Sequence, residues 1–477
     1  MATLAERLGN HSAVTFVDKL IAELKSALGP AGVLEGDAIG PMHQTDWSGA
    51  PPVMPRLVVR PATTSEVSTV LRLCHAARQP VVPQGGMTGL VAGAVPGAGE
   101  IALSLGRMNR IEAIDKAART LTVQAGAPLQ AAQDYAEEHG LMLPLDLGSR
   151  GSCAVGGNIS TNAGGNRVIR YGMTRDMVLG LEAVLPDGTV IDAMNAMIKN
   201  NAGYDIKHLF IGTEGTLGVV TRAVLRLRAQ PASQCTAIAA VRDFDALVTL
   251  LGAVDRDLGG TLSAFEAMWA DFYRFITGQD VGVRAPLGRD YPLYVLIESL
   301  GADPERDGER FETVLDRAMS DGLMLDAVVA RSKADSKALW AVRDGIAEAV
   351  KAMTPFVSYD VSLPIGAMER FVAEARELLS EKFPGHRSVF FGHVGDGNLH
   401  LVTCVGSREP AVTKAVDDLV YGVTGRLDGS VSAEHGIGRL KLPYLAISRS
   451  PAEIALMQTL KHAIDPHNIL NPGRVLV

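Results

Sequence analysis

Residues 143–166 read LPLDLGSRGSCAVGGNISTNAGGN, a run of glycine, serine, asparagine and alanine with few large side chains. Such a stretch is expected to be a loop and not a packed element. Loops longer than about 12–15 residues inside a compact domain are usually functional or disordered, and short apolar segments border this one on both sides. Glycine lets the main chain approach an anion closely, so several backbone N–H groups can cradle a phosphate. A second stretch of this kind, QGGMTGLVAGAVPG at 84–97, follows the short apolar strand VVP. Two such loops in one domain point to a dinucleotide-sized ligand, while mobile surface loops are the alternative that composition leaves open. Neither loop carries G-x-G-x-x-G and the chain has no GK[ST], so a Rossmann nicotinamide site and a P-loop are unsupported.

Around these loops the pattern alternates between helix and strand. RPATTSEVSTVLRLCHAAR puts Glu66 three residues after Thr63, a capping box that opens a helix. IGTEGTLGVVT at 211–221 adds a third glycine-bearing stretch and ends in a strand near Val219. From about Ala229, longer helical stretches such as SKADSKALWAVRDGIAEAVKAM alternate with β-like runs such as YPLYVLIESL. The expected domains are 1–230, 231–429, and a return of 430–477 to the first. With 47% apolar and 21% charged residues the chain reads as an ordinary globular protein. A net charge of −8 without a basic cluster argues against nucleic acid as a partner. The N-terminus lacks a basic segment followed by an apolar one, and no stretch reaches about 18 uncharged apolar residues, so a cytoplasmic location is expected. Cys74, Cys153, Cys235 and Cys404 lack CxxC spacing, which suggests neither a disulfide frame nor a thiolate metal site.

GHVGDGNLH at 392–400 holds two histidines seven apart among three glycines. Glycine costs a helix interior about 1 kcal/mol relative to alanine, and the flanks SVFF and LHLVT are β-rich, so a hairpin is expected. Asp396-Gly397 is the dipeptide of a two-residue type I′ turn, a register that pairs Gly395 with Asn398, Val394 with Leu399 and His393 with His400. Two imidazoles so placed suit a metal ion, a hydrogen-bonded pair or plain packing. SAEHGIG adds Glu434 and His435 in a glycine-bordered turn. One carboxylate and two imidazoles form a set that binds Zn²⁺ and leaves a position open for substrate.

RPATTSEV, VVPQGGMTGL, GGNISTNAGG, GTEGTLGVVT, GHVGDGNLH, SAEHGIG and NILNPGR occur in this order between about residues 55 and 474. They resemble the successive signatures of the FAD-linked oxidase superfamily of the vanillyl-alcohol oxidase type. More narrowly they are similar to its D-2-hydroxy-acid dehydrogenase branch, which includes D-lactate and D-2-hydroxyglutarate dehydrogenases. The resemblance implies an α+β fold, with a two-part FAD-binding domain and a central antiparallel-sheet cap domain that takes the substrate. It implies FAD contacts from Pro83, Gln84, Gly85, Gly86, Met87, Thr88, Gly89 and Leu90 at the pyrophosphate. Pro144, Gly148, Gly156, Gly157, Asn158, Ser160, Thr161, Asn162, Gly164 and Gly165 would run along the cofactor, with Thr213, Glu214, Gly218 and Val219 facing it and Asn471 near the flavin edge. Covalent members often carry a histidine where this chain has Gly86-Met87, so a dissociable FAD is expected. The resemblance also casts His393, His400 and Glu434 as ligands of a divalent metal, Zn or Mn, His435 as the base, and Arg343 as the binder of the substrate carboxylate. Tyr359 falls in a matching segment and is expected at the substrate site.

That chemistry gives each group a use. Oxidation of a 2-hydroxy acid removes the hydroxyl proton and passes the C2 hydride to flavin. A cation lowers the alcohol pKa, an imidazole can take the proton, and a planar arginine fork suits a carboxylate. Where the glutarate type has lysine, threonine and asparagine, this chain has Ser358, Ala347 and Val402. D-lactate or D-malate is therefore expected to be preferred over D-2-hydroxyglutarate. The electron acceptor is open among electron-transfer flavoprotein, quinone and cytochrome, and the assembly state is open, a homodimer included. A flavin enzyme of non-oxidative alkyl transfer and a catalytically silent FAD-binding subunit are the competing readings.

Overall fold

The computed structural model describes residues 17–279 and 281–476. Its first part is built on two sheets. One has four strands in the order Val33–Leu34, Leu57–Val59, Ile101–Ser104 and Val81–Gln84, the last three mutually parallel. Helix Thr64–Ala77 makes the crossover that parallel strands require. Thr63 caps it by accepting from the Glu66 N–H, while the Glu66 carboxylate reaches the N–H of Ala62. The other sheet has five antiparallel strands, in the order Ile111–Asp115, Thr120–Gln124, Val219–Arg226, Val178–Val184 and Val190–Ala193. The end of the chain returns here: Val81 N–H donates to Ile469 O, and Asn471 N–H donates to Val81 O.

Residues 143–166 are only partly the expected loop. Val155–Thr161 is a helix, with Val155, Gly156, Asn158 and Ile159 buried. The glycines serve close packing here, since a Cβ on Gly156 would lie 2.5 Å from that of Ala125. A run of small residues lacks bulk, but it lets a short helix press onto the sheet behind it.

The second part is a seven-stranded antiparallel sheet in the order Asp326–Val329, Ser233–Val241, Leu293–Gly301, Leu262–Trp269, Arg387–His393, Asn398–Cys404 and Val357–Ser362. One face is buried against helices Phe244–Asp257, Pro304–Ser320, Met368–Lys382 and Pro410–Arg426. Phe390, Leu399 and Leu401 point into that core without measurable exposure, and each such side chain contributes about 1.5–3 kcal/mol by leaving water. Their alternation fixes which residues face the other way. That opposite face is covered in part by helices Ala270–Ile276 and Lys333–Asp344, and elsewhere by polar groups. The long helical stretch breaks at Gly345 into Lys333–Asp344 and Ile346–Ala349. No helix among the described residues is long and apolar enough to cross a membrane.

The hairpin differs from the expected one by two residues. His400 pairs with Phe391 and Leu401 with Phe390, while His393 pairs with Glu266 on its other side. The connection is a four-residue turn with a 3-10 segment at Val394–Asp396. Only Gly397, at φ 86°, takes the left-handed conformation that a type I′ turn demands of both central residues. A shift of two preserves the faces, so the two imidazoles still share one side, with ring centroids 5.3 Å apart.

Candidate active site

Four strands of the second sheet aim polar side chains at one region: Glu266, His393, His400 and Asp360. Glu266 is the lone acid in the buried strand LSAFEAMW and is 1% exposed. Its Oε1 lies 2.6 Å from His393 Nδ1, and its Oε2 accepts from Arg343 Nε at 2.7 Å. Arg343 is itself buried at the end of helix Lys333–Asp344, with its guanidinium 4.7 Å from the Phe391 ring centroid. Its second contact is from NH2 to His393 Nε2 at 3.3 Å. The Glu266 carboxylate holds a proton on Nδ1, so that whenever the ring is neutral its lone pair lies on Nε2, toward the Arg343 N–H.

Facing these strands is the turn at residues 432–438. Asp360, fully buried, holds it by accepting at Oδ2 from the N–H groups of Ala433, Glu434 and His435, at 3.2, 3.0 and 3.0 Å. The Glu214 carboxylate holds the other side, accepting from Ile437 N–H at 2.6 Å and Gly438 N–H at 2.9 Å. The turn thus presents Glu434 and His435 to the histidines. His393 Nε2 lies 3.9 Å from Glu434 Oε1, the His435 ring lies 6.3 Å from that of His400, and His435 Nδ1 is 3.7 Å from Asp360 Oδ2. Ligand atoms of His393, His400 and Glu434 fall within 4.8 Å of one another.

The electrostatics suit a cation. Three acids, Glu266, Asp360 and Glu434, crowd the region, with Asp396 exposed on the hairpin turn beside them; against them stand Arg343 and Lys441, the latter lowered by burial. Burial pushes Glu434 up to about 7. Burial also drives His400 well below the ordinary histidine value, helped by the charge of His393, and lowers His435. In His393 burial acts downward, but the Glu266 carboxylate outweighs it and raises the group. Burial would raise Asp360, yet His435, Lys441 and the turn N–H groups hold it far below the usual carboxylate range. Neutral imidazoles beside an excess of carboxylate are the donor chemistry of a divalent-metal site.

The glycine loops meet this cluster. Among the described residues, no N–H from Gly85 to Leu90 donates to a protein acceptor, which leaves a row of free donors suited to a phosphate. Gly86 is confined, because a Cβ there would lie 2.1 Å from Ser152 O. Gly157, with open space beside it, lies close to Gly85. Ser160 and Thr161 are half-buried on the same helix. Asn471 donates to Gly93 O and Glu214 O and keeps a buried Oδ1 without a partner. These features fit a bound FAD.

Other expected contacts have different surroundings. The Gln84 amide is used up by His43 and Ala94. Asn158 faces a small void among Leu129, Leu143 and Leu145, and Asn162 Oδ1 accepts from Arg175 N–H. Thr213 Oγ1 bonds Phe210 O, Gly218 packs on Phe210, and Val219 is buried in its strand. Gly165 packs on Asp146 O and Gly164 on Met173, whereas Gly148 has open space. Tyr359 is a correction: it lies in the core on the opposite face and donates to Asp417 at 2.7 Å. Side chains alternate along a strand, so Asp360 at the site sends Tyr359 away from it. Val402, on the face of His400, is buried and pairs with Ser358 and Val389, while Ser358 and Ala347 are exposed.

A flavoprotein of the vanillyl-alcohol oxidase type is defined by this fold. The family model described as an FAD binding domain matches residues 55–194, and that described as FAD linked oxidases, C-terminal domain, matches 230–475. The chain belongs to the FAD-linked oxidases, in their D-2-hydroxy-acid dehydrogenase branch. It is 40% identical over 457 residues to the probable mitochondrial D-2-hydroxyglutarate dehydrogenase of Oryza sativa subsp. indica, covering 96% of this chain and 81% of that one. It is 41% identical to the D-2-hydroxyglutarate dehydrogenase of Xanthomonas citri pv. viticola, covering 90% and 91%. A putative mitochondrial D-lactate dehydrogenase of Schizosaccharomyces pombe is 38% identical, covering 90% and 83%. The solved p-cresol methylhydroxylase with substrate bound shares the fold, with TM-score 0.76 at 17% identity over 96% of each chain.

Proposed function

We propose that the protein oxidises a short D-2-hydroxy acid, D-lactate or D-malate, to the 2-oxo acid, with non-covalent FAD and a divalent cation held by His393, His400 and Glu434. The observation that carries this reading is the convergence of those three ligand groups with His435 and Arg343, where the strands and helix of the second sheet meet a turn that Glu214 and Asn471 tie to the glycine loops. FAD supplies the hydride acceptor when bound, and the cation supplies the charge that lowers the pKa of the C2 hydroxyl. His435, kept neutral by burial, accepts the hydroxyl proton at Nε2, since Nδ1 is turned to Asp360. Arg343, anchored through Nε, offers its remaining N–H groups to the carboxylate. Electrons leave to an electron-transfer flavoprotein, a quinone or a cytochrome, and the site of action is the cytoplasm.

The free N–H row and the absence of histidine at Gly86-Met87 support a dissociable cofactor. The purified protein is expected to be yellow and to release about one FAD per chain on heat or acid treatment. Flavin that stays on the denatured chain refutes this part.

The substrate preference rests on Val402, Ser358 and Ala347. A distal carboxylate near methyl groups keeps its desolvation cost, and an unpaired polar group costs about 1–3 kcal/mol, more when charged. D-lactate or D-malate should therefore exceed D-2-hydroxyglutarate by at least about tenfold in kcat/KM. Val402→Asn with Ser358→Lys should narrow the gap. The names of the rice and Xanthomonas relatives favour D-2-hydroxyglutarate as the second reading. Steady-state kinetics on the three acids decide between the two, and a clear preference for D-2-hydroxyglutarate overturns the first.

A further inference from the structure

We infer that Glu266 is a positioning residue that sets both the metal-binding nitrogen of His393 and the orientation of Arg343. The inference rests on the proposed metal reading and goes beyond it, because Glu266 offers no atom to the ligand set. Its carboxylate is 1% exposed and divides its two oxygens between two partners, Oε1 to His393 Nδ1 at 2.6 Å and Oε2 to Arg343 Nε at 2.7 Å. The strand register puts it directly opposite His393. Six of the eight residues in its strand are apolar, and Glu266 is the one carboxylate on it.

The physical consequence is a choice of tautomer. With Nδ1–H donated to Glu266, the lone pair of His393 stays on Nε2, the nitrogen that faces Glu434. Outer partners that fix a ligating histidine in this way commonly change metal affinity 10–100-fold when removed. The same carboxylate stops Arg343 from rotating about its long side chain, which leaves its fork ready for a planar anion. Each oxygen serves one partner, so a side chain with a single acceptor oxygen must give up one of the two.

Glu266→Gln is the near-isosteric test. An amide can accept from one partner only, and its NH₂ must face the other. Either His393 turns its Nδ1 into an acceptor and protonates Nε2, or Arg343 loses its anchor. In the FAD-loaded protein, affinity for Zn²⁺ measured by chelator competition is expected to fall 10–100-fold, or KM for the hydroxy acid to rise at least about tenfold, with FAD content and Tm kept. Because it withdraws the N–H that competes for His393 Nε2, Arg343→Lys should raise KM without lowering Zn²⁺ affinity, which separates the two roles. A folded Glu266→Gln protein with both wild-type Zn²⁺ affinity and wild-type KM overturns the inference. Should that variant not fold, ¹⁵N-histidine NMR of the Zn²⁺-loaded wild type takes its place, where a metal-bound Nδ1 of His393 overturns it equally. A wild type that binds no divalent metal sinks the metal reading itself and the His393 half with it, and KM of Glu266→Gln then judges the Arg343 half.

Discussion

His435→Ala is expected to slow flavin reduction by about 10²–10⁴-fold, the range a positioned general base contributes, while FAD and the hydroxy acid still bind. The turn that carries the residue does not depend on its ring. Asp360 grips the backbone N–H groups of residues 433–435, and Glu214 grips those of 437 and 438. Alanine keeps every one of these donors. What disappears is a half-buried imidazole, its pKa lowered by desolvation, whose Nδ1 faces Asp360 and whose ring lies beside His400. The loss should fall on the rate and leave the substrate concentration at half-saturation within a few-fold, because carboxylate binding is assigned to Arg343. Anaerobic stopped-flow bleaching of the flavin gives both quantities in one titration. Reduction within about threefold of wild type would mean that another group takes the proton.

The fold was legible because its glycines answer steric demands that no other residue meets. Gly86 beneath Ser152 O and Gly156 against Ala125 leave no room for a Cβ, and such positions surface in the sequence as motifs. The histidine pair and the Glu434-His435 turn were legible for a similar reason, since each lies within a short chain segment. What the sequence did not reveal was made by long-range pairing. Glu266 meets His393 across 127 positions, and no local pattern announces which strand will lie beside Arg387–His393. Its one signal was an unexplained acid in an apolar strand. The hairpin register failed because Asp396-Gly397 was weighed as an isolated turn, whereas pairing with the strand of Glu266 carries the extended chain as far as His393. Tyr359 could have been placed correctly, because period two forbids adjacent residues from sharing a face.

Metal removal is the second large effect. Chelation is expected to abolish reduction of the flavin by hydroxy acid while leaving the FAD absorbance intact, and Zn²⁺ or Mn²⁺ should restore it. The argument is one of charge. Without a cation, burial pushes Glu434 up to about 7. The region can then lower its cost only by taking up protons. An anionic substrate entering that region meets Arg343 alone, with nothing to lower the pKa of its hydroxyl. His400→Ala should reproduce the chelated state even with metal in excess, because it removes one ligand without touching Glu266, Arg343 or the Asp360 contacts. FAD should remain bound in that variant, since the free N–H row at residues 85–90 lies outside the metal cluster. Metal content by elemental analysis, read beside anaerobic flavin reduction, tests the assignment. Full activity in a preparation shown to be metal-free, or a His400→Ala protein that keeps both its metal and its rate, would remove the cation from the reaction and leave His435 and Arg343 to act alone.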